Sequence, residues 1–359
     1  MKTEVTVTKL SLEEIARALV PPGKGILAAD ESVRTITKRF AALGIPSTPE
    51  TRRAYREMLF TTPQLGKFVS GAILFDEQIR QADSSGTPLA AVLTRAGILP
   101  GIKVDLGAKP LAACPGETVT EGLDGLRDRF AEYGRMGVRF AKWRAVIHVD
   151  ERIPSDTCLA VNAHALARYA ALAQEAGLVP IVEPEVLMTG AHDLARTEEV
   201  TARVLERVFA ELRAQRVMLE GMLLKPNMVL PGKDSPERAS VAAVATSTLR
   251  VLRRSVPVAV PGVVFLSGGQ DDRLATEHLD AMNAVTAPLP WRLTFSFARA
   301  LQDAPLAAWR GDAKNVEQAQ RALLHRARCN AAASLGTYDE SMERSEARPL
   351  RPRRVAAHA

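Results

Sequence analysis

VPIVEPE, residues 179–185, runs through apolar side chains and stops in two acids. Side chains alternate along a strand, so Ile181, Glu183 and Glu185 share one face. An apolar run with no polar alternation is covered on both faces, as in a parallel sheet. Helix-patterned stretches lie on either side, NAHALARYAALAQEAG (162–177) and TEEVTARVLERVFAELRAQ (197–215). Their apolar positions recur near the 3.6-residue period. Strand, loop and crossover helix is the unit of an α/β fold.

The same unit recurs in both directions. Seven further runs are GILAAD (25–30), VSGAILF (69–75), GIKVDL (101–106), RFAKWR (139–144), EGMLLKPNM (220–228), GVVFLSGG (262–269) and RLTFSF (292–297). They start roughly 28–45 residues apart, room for a strand and a crossover helix. ETRRAYREMLF (50–60), LDGLRDRFAEYGRMG (123–137) and ASVAAVATSTLRVLRRS (239–255) supply more helical pattern. Eight units predict a single-domain (β/α)8 TIM barrel. An open doubly wound sheet is the runner-up, but no GxGxxG follows the first strand. A capping box, Ser11 and Glu14, opens an N-terminal helix that Pro21-Pro22 stop. NVEQAQRALLHRARCNAAASLG (315–336) reads as a final helix ending at Gly336. No internal stretch reads as a linker, so residues 1–343 are expected as one domain and 344–359 as a flexible basic tail.

Active sites of such barrels lie at the C-terminal ends of the strands. Alternation aligns Ile26, Ala28 and Asp30 on the first run, and Lys103 with Asp105 on the third. It aligns Phe140, Lys142 and Arg144 on the fourth, and Leu223, Lys225 and Asn227 on the sixth. Phe265 aligns with Ser267 on the seventh, and Thr294 with Ser296 on the eighth. If these faces point inward, lysines and acids meet at one end of the barrel. A lone charge at a strand end is ordinarily just solvated. Several together are costly to bury unless paired. A desolvated lysine beside other cations loses its proton more readily and becomes a nucleophile. Lys225, between Leu224 and Pro226, is the candidate, with Lys142 as the neighbouring charge and Glu183 and Glu185 for proton transfer. An amine attacks a carbonyl. The imine that follows is an electron sink that allows carbon–carbon cleavage without a metal. The six histidines are dispersed with no HxxxH or HxH pair, so no metal site and no cofactor is expected. His192-Asp193 reads as a helix start.

Ser267-Gly268-Gly269 after the seventh strand, with Ser296 and Arg299 after the eighth, fits the place where barrels hold phosphate. Ser32, Thr35 and Lys103 could hold a second phosphate, although Ser32 and Thr35 alone read as helix-start residues.

Composition excludes other classes. The chain has 359 residues, 47% hydrophobic and 25% charged, enough for a substantial core. Of 47 basic and 41 acidic residues, five arginines and one glutamate lie in the last 16, leaving 42 against 40. The net charge of +6 is therefore mostly the tail. With 5% aromatics and no aromatic platform among the basic residues, no nucleic-acid function is expected. No apolar run reaches the ~20 residues that span a bilayer, so no membrane partner is expected. The N-terminus lacks a signal pattern, and three scattered cysteines fit a reducing cytoplasm.

The sequence closely resembles class I fructose-bisphosphate aldolases. GKGILAADES (23–32), GIKVD (101–105), GLDGL (122–126), FAKWR (140–144), LARYA (166–170), PIVEPE (180–185), LLKPNM (223–228), FLSGGQ (265–270) and TFSFARALQ (294–302) carry the resemblance, in order, over residues 10–338. It implies reversible cleavage of fructose 1,6-bisphosphate to dihydroxyacetone phosphate and glyceraldehyde 3-phosphate, in glycolysis and gluconeogenesis. Lys225 would be the Schiff-base residue and Glu183 the main acid/base, with Glu185 orienting the Lys225 site. Asp30 would handle the C4 hydroxyl proton, with Lys142 beside it and Arg144 in support. Ser267, Gly268, Ser296 and Arg299 would bind the C1 phosphate. Ser32, Thr35 and Lys103 would bind the C6 phosphate, and Arg39 would line the cleft. A homotetramer is also implied.

Three features depart from the family's animal members. SFAR replaces SYGR, so Ala298 stands where they have glycine, and a positive φ there would force the loop to adjust. Thr35 replaces a serine. A terminal tyrosine that assists enamine protonation is missing, the last tyrosine being Tyr338; either water or another group is expected to take that role, or turnover is slower. Two other readings stay open: a Schiff-base aldolase preferring fructose 1-phosphate or sedoheptulose 1,7-bisphosphate, and a sugar-phosphate-binding protein without catalysis. Rates on one- and two-phosphate ketoses separate the first, and borohydride trapping separates the second. Activity surviving a chelator would exclude a metal route.

Overall fold

The computed structural model describes residues 10–347. Eight parallel strands close into one barrel. They are β1 (Gly25–Ala28), β2 (Val69–Leu74), β3 (Leu99–Lys103), β6 (Phe140–Ile147), β7 (Val179–Val186), β8 (Leu223–Leu224), β9 (Gly262–Phe265) and β10 (Arg292–Phe297). Each pairs with its neighbours around the ring, and β1 closes it by pairing with β10. An antiparallel hairpin, β4 (Ala108–Pro110) and β5 (Thr118–Thr120), interrupts the β3–β6 crossover. It falls in a stretch that sequence periodicity leaves unassigned.

Two apolar clusters define the faces. Ile26, Ala28, Ile73, Phe140, Ile181, Leu223 and Val264 pack together inside the barrel. Leu27, Ile102, Trp143, Val182, Leu224, Phe265 and Phe295 pack outward under the helices. Asp30, Lys142, Glu183 and Lys225 each follow an inner residue by two places, so alternation carries them to the inner face above the apolar plug. The seventh strand corrects the expected alignment of Phe265 with Ser267. Val264 faces in and Phe265 faces out. Ser267 lies beyond the end of β9, in a turn whose Gly268 and Gly269 have φ of +59° and +83°, so alternation no longer sets its direction.

The opposite end is stoppered by the helix Leu12–Leu19. Ser11 and Glu14 form its capping box: Ser11 N donates to Glu14 Oε2 at 2.7 Å and Glu14 N to Ser11 Oγ at 3.2 Å. Ile15, Ala16 and Leu19 join the inner cluster. Phe140 fits inside because β3 carries Gly101, where a Cβ would lie 2.3 Å from its ring.

β8 is shorter than its run suggests. The helical turn Leu219–Gly221 precedes it, and Pro226 has no N–H to extend it. The ladder still reaches Lys225, whose N–H donates to Val182 O at 2.8 Å.

The helices Asp156–Glu175 and Leu194–Ala214 begin earlier than their periodicity suggests, because Ser155 and Asp193 cap them. The last long helix is Val316–Ala333, and Gly336 turns the chain with φ +66°. Residues 340–347 form a 3-10 helix, so the tail expected from 344 begins inside it; residues 348–359 lie outside the described residues. Among the described residues no helix is long and apolar enough to cross a membrane.

Candidate active site

Strand geometry brings the expected group together. Lys142 Nζ lies 2.8 Å from Asp30 Oδ2 and 3.0 Å from Glu183 Oε2. Lys225 Nζ lies 3.1 Å from Glu183 Oε1. All four residues are buried. The order Asp30, Lys142, Glu183, Lys225 alternates in sign, which is how a barrel end tolerates buried charges. Glu183 Oε2 has its ion pair with Lys142 but no aligned hydrogen bond among the described residues, so a lone pair stays free for a proton.

Charge sets the protonation states. Burial alone would raise the Asp30 carboxyl, but Lys142, Lys225 and Lys103 outweigh it and hold it at about 2. The Glu183 carboxyl, pushed up by burial, is drawn below its usual range by Lys142, Lys225 and Arg144. Burial would lower Lys142, yet Asp30 and Glu183 raise it well above an ordinary lysine. At neutral pH both acids are ionised and Lys142 is a fixed cation.

The neighbouring charges form a second layer. Lys103 Nζ lies 2.7 Å from Asp105 Oδ1 and 5.8 Å from the Phe75 ring centre. Arg144 Nε pairs with Glu185, so Glu185 has Arg144 as its polar partner. Ser32 caps the helix Val33–Ala41, its hydroxyl accepting from Thr35 N at 3.3 Å and lying 3.0 Å from Thr35 Oγ1. Both are thus helix-start residues, at a helix N-terminus two residues past Asp30. Arg39 pairs with Glu31 and with Asp303 at 2.9 Å. Arg56 holds the other Glu31 oxygen at 2.5 Å. Glu31 was not singled out in the sequence, although it stands inside GKGILAADES.

A third group gathers after β9 and β10. Ser296 Oγ, on β10, is buried with no hydrogen-bond partner among the described residues. Ser267 is buried, and its carbonyl accepts from Gln270 Nε2 at 2.9 Å. Gln270 is in turn braced by His278 Nδ1 at 2.7 Å. Burial pushes the His278 imidazole down to about 4, so it is neutral and its contact fixes Gln270. Arg299 opens the helix Arg299–Trp309. Ala298 before it has φ −98°, so the alanine that replaces glycine does not need the left-handed backbone. A Cβ built on Gly269 would lie 2.7 Å from Arg299 Nη2 and 2.8 Å from Lys233 Nζ. Lys233 is a residue that sequence reasoning missed. Its only signal is a lone lysine after Pro231-Gly232.

Elsewhere His325, Cys329 and Glu343 place one ligand atom each within 4.8 Å of one another. Glu343 already serves Arg326 at 2.5 Å and Tyr338 at 2.9 Å, so protein donors satisfy it. His192 precedes Asp193, which caps the helix Leu194–Ala214 through Arg196 N at 2.7 Å.

Chemically, the site offers a buried lysine nitrogen against an ionised carboxylate, a second carboxylate pinned by a fixed cation, and basic groups to either side. Comparisons with known proteins show which family the whole chain is similar to. The sequence model of the family described as fructose-bisphosphate aldolase class-I matches residues 11–351. A probable fructose-bisphosphate aldolase class 1 from Xylella fastidiosa is 55% identical over 328 residues, 91% of this chain and 98% of that one. Cytosolic fructose-bisphosphate aldolase 4 of Arabidopsis thaliana is 52% identical over 317 residues, 88% of this chain and 81% of that one. The solved fructose-bisphosphate aldolase of Plasmodium falciparum, in complex with TRAP and a small-molecule inhibitor, superposes with a TM-score of 0.90 at 47% identity. It covers 91% of this chain and 95% of that one.

Proposed function

The chain belongs to the class I fructose-bisphosphate aldolase family, and from that premise we propose how its own residues divide the reaction. The enzyme is a lyase that cleaves fructose 1,6-bisphosphate to dihydroxyacetone phosphate and glyceraldehyde 3-phosphate, and runs the reverse condensation.

Lys225 is the nucleophile. Its free amine attacks the C2 carbonyl of the open-chain ketose, and the carbinolamine loses water to give an iminium. Glu183, 3.1 Å away, receives the ammonium proton and returns one to the departing hydroxyl. The iminium then draws the C3–C4 bonding pair, which becomes the enamine double bond. Asp30 takes the C4 hydroxyl proton as the aldehyde leaves. It is a weak base because Lys142 holds it ionised, but it acts when the iminium has made that proton acidic. Protonation of the enamine at C3 and hydrolysis of the imine release dihydroxyacetone phosphate and free Lys225.

Ser267, Gly268, Ser296 and Arg299 hold the C1 phosphate, and Ser32, Thr35 and Lys103 the C6 phosphate. Glu185 acts through Arg144, its ion-pair partner, and Arg39 borders the cleft from its pairs with Glu31 and Asp303. Residues 1–343 form the catalytic unit, with 344–359 as a basic appendage. The enzyme is cytoplasmic, as the names of its plant relatives support, and a homotetramer.

The observation that carries the reading is the Lys225–Glu183 contact inside a buried, charge-alternating barrel end. Borohydride reduction with dihydroxyacetone phosphate tests it. Peptide mapping should place a stable adduct on Lys225, absent in Lys225→Met. An adduct elsewhere, or none, overturns the assignment.

A further inference from the structure

Lys233 stands in the loop after Lys225, outside every motif that carries the family resemblance. Three backbone hydrogen bonds tie that loop to the segment after β7. Gly232 N donates to His192 O at 2.8 Å, Lys233 N to Met188 O at 2.7 Å, and Asp234 N to Gly190 O at 3.0 Å. Gly232 permits this approach, since a Cβ there would lie 2.1 Å from Gly190 O. The Lys233 backbone is therefore anchored, and its side chain reaches across to the turn after β9.

Two cations meet there over one backbone position, Lys233 Nζ and Arg299 Nη2, 2.8 and 2.7 Å from the point a Gly269 Cβ would occupy. Among the described residues neither side chain has a hydrogen bond or ion pair within the protein. Other clustered cations in this chain are neutralised: Lys142 by Asp30 and Glu183, and Arg39 and Arg56 by Glu31. Two like charges converging without a counter-charge repel each other unless an anion sits between them. Glycine at 269 keeps the space between them open. A phosphate monoester carries nearly two negative charges and three acceptor oxygens, enough for a planar guanidinium and a point-like ammonium together.

We propose that Lys233 is a second cationic ligand, opposite Arg299, for the substrate phosphate bound at the Gly268–Gly269 turn. This rests on the aldolase reading above and adds to it a residue that sets affinity at one end of the substrate.

Lys233→Met keeps the length of the side chain and removes its charge. Borohydride trapping of Lys225 at graded dihydroxyacetone phosphate should show affinity falling about tenfold, with the maximal trapping rate retained. Trapping of phosphate-free dihydroxyacetone should not change, and Lys233→Arg should restore most of the loss. The kcat/KM for fructose 1,6-bisphosphate and for fructose 1-phosphate should fall by the same factor, because both carry this phosphate. Wild-type affinity for dihydroxyacetone phosphate in Lys233→Met, with Lys225 still trapped, overturns the proposal and leaves the aldolase reading intact. An equal loss with dihydroxyacetone assigns Lys233 a structural role and also overturns it. Failure to trap Lys225 in the unaltered enzyme instead sinks the aldolase reading itself.

Discussion

Glu183 Oε1 lies 3.1 Å from Lys225 Nζ, while its other oxygen lies 3.0 Å from Lys142 Nζ. One carboxylate thus touches both the proposed nucleophile and the fixed cation. The proton-transfer role proposed for it predicts the behaviour of Glu183→Gln, which keeps the shape and removes the base. The kcat should fall by about 10²–10⁴, the usual worth of a positioned acid/base. The KM should hold, because the proposed phosphate sites lie elsewhere. Borohydride should still mark Lys225, but in rapid-quench experiments the adduct should form more slowly by a similar factor. Adduct formation at the normal rate would move proton transfer to another group.

Lys142 predicts a pH-dependent stability. The Asp30 carboxyl is held at about 2 against an ordinary value of 3.8. Its contribution is present above the unfolded value and is lost as pH falls through the folded one. In that window the unfolded chain binds more protons, so stability rises with pH. The contribution is on the order of 2 kcal/mol. In Lys142→Met much of it is lost, because only Lys225 and Lys103 remain to oppose burial, and two buried carboxylates lose their shared cation. The cost should be about 3 kcal/mol near neutrality, shrinking toward pH 3 as the acids take up protons. Urea midpoints across pH 7 to 3 measure this. A wild-type-to-variant gap that stays constant over the range would mean that Lys142 acts by packing alone.

Most of this chemistry was legible in the sequence because it sits on strands. Alternation set the faces of Asp30, Lys142, Glu183 and Lys225, and a strand end fixed by hydrogen bonds leaves little else to decide. It failed where the strand stops. Ser267 follows β9 into a turn with positive φ at Gly268 and Gly269, so its direction is a property of the turn. β8 shrinks to two residues because the helical turn Leu219–Gly221 takes the start of the nine-residue run and Pro226 interrupts its end. The β4–β5 hairpin and the placement of Lys233 depend on backbone contacts between loops distant in sequence, which leave no periodic trace.

Lys103 predicts a difference between substrates. It lies 2.7 Å from Asp105 Oδ1, at the end of β3, which stands across the barrel ring from β9 and the Gly268–Gly269 turn. Lys103→Met should raise the KM for fructose 1,6-bisphosphate about tenfold, the worth of one charge-assisted contact. The rate on fructose 1-phosphate should change little, since that substrate lacks the second phosphate. The ratio of kcat/KM on the two substrates should therefore fall, whereas Lys233→Met leaves it fixed. Equal losses on both substrates would place Lys103 in general site structure. Thermal unfolding must accompany the kinetics, because Asp105 is buried and loses its cation.

Gly101 tests how the barrel interior is filled. A Cβ at this position would lie 2.3 Å from the Phe140 ring, inside any tolerable contact. Gly71 on β2 is nearly as close, its Cβ position 3.1 Å from the same ring and 2.7 Å from Leu19. Phe140 therefore occupies the interior volume that two glycines vacate, above the helix that stoppers the barrel. Gly101→Ala should destabilise the fold by about 1–3 kcal/mol, the usual cost of overpacking. It should also lower kcat, because Phe140 precedes Lys142 by two residues on the same face and a displaced ring moves the strand that positions its ammonium. Phe140→Leu alone leaves a cavity and is destabilising as well. The two changes together should cost less than their sum, since each relieves the other's misfit. Urea denaturation of both single variants and the double variant measures that coupling. Strict additivity would mean that Phe140 does not depend on the space at Gly101.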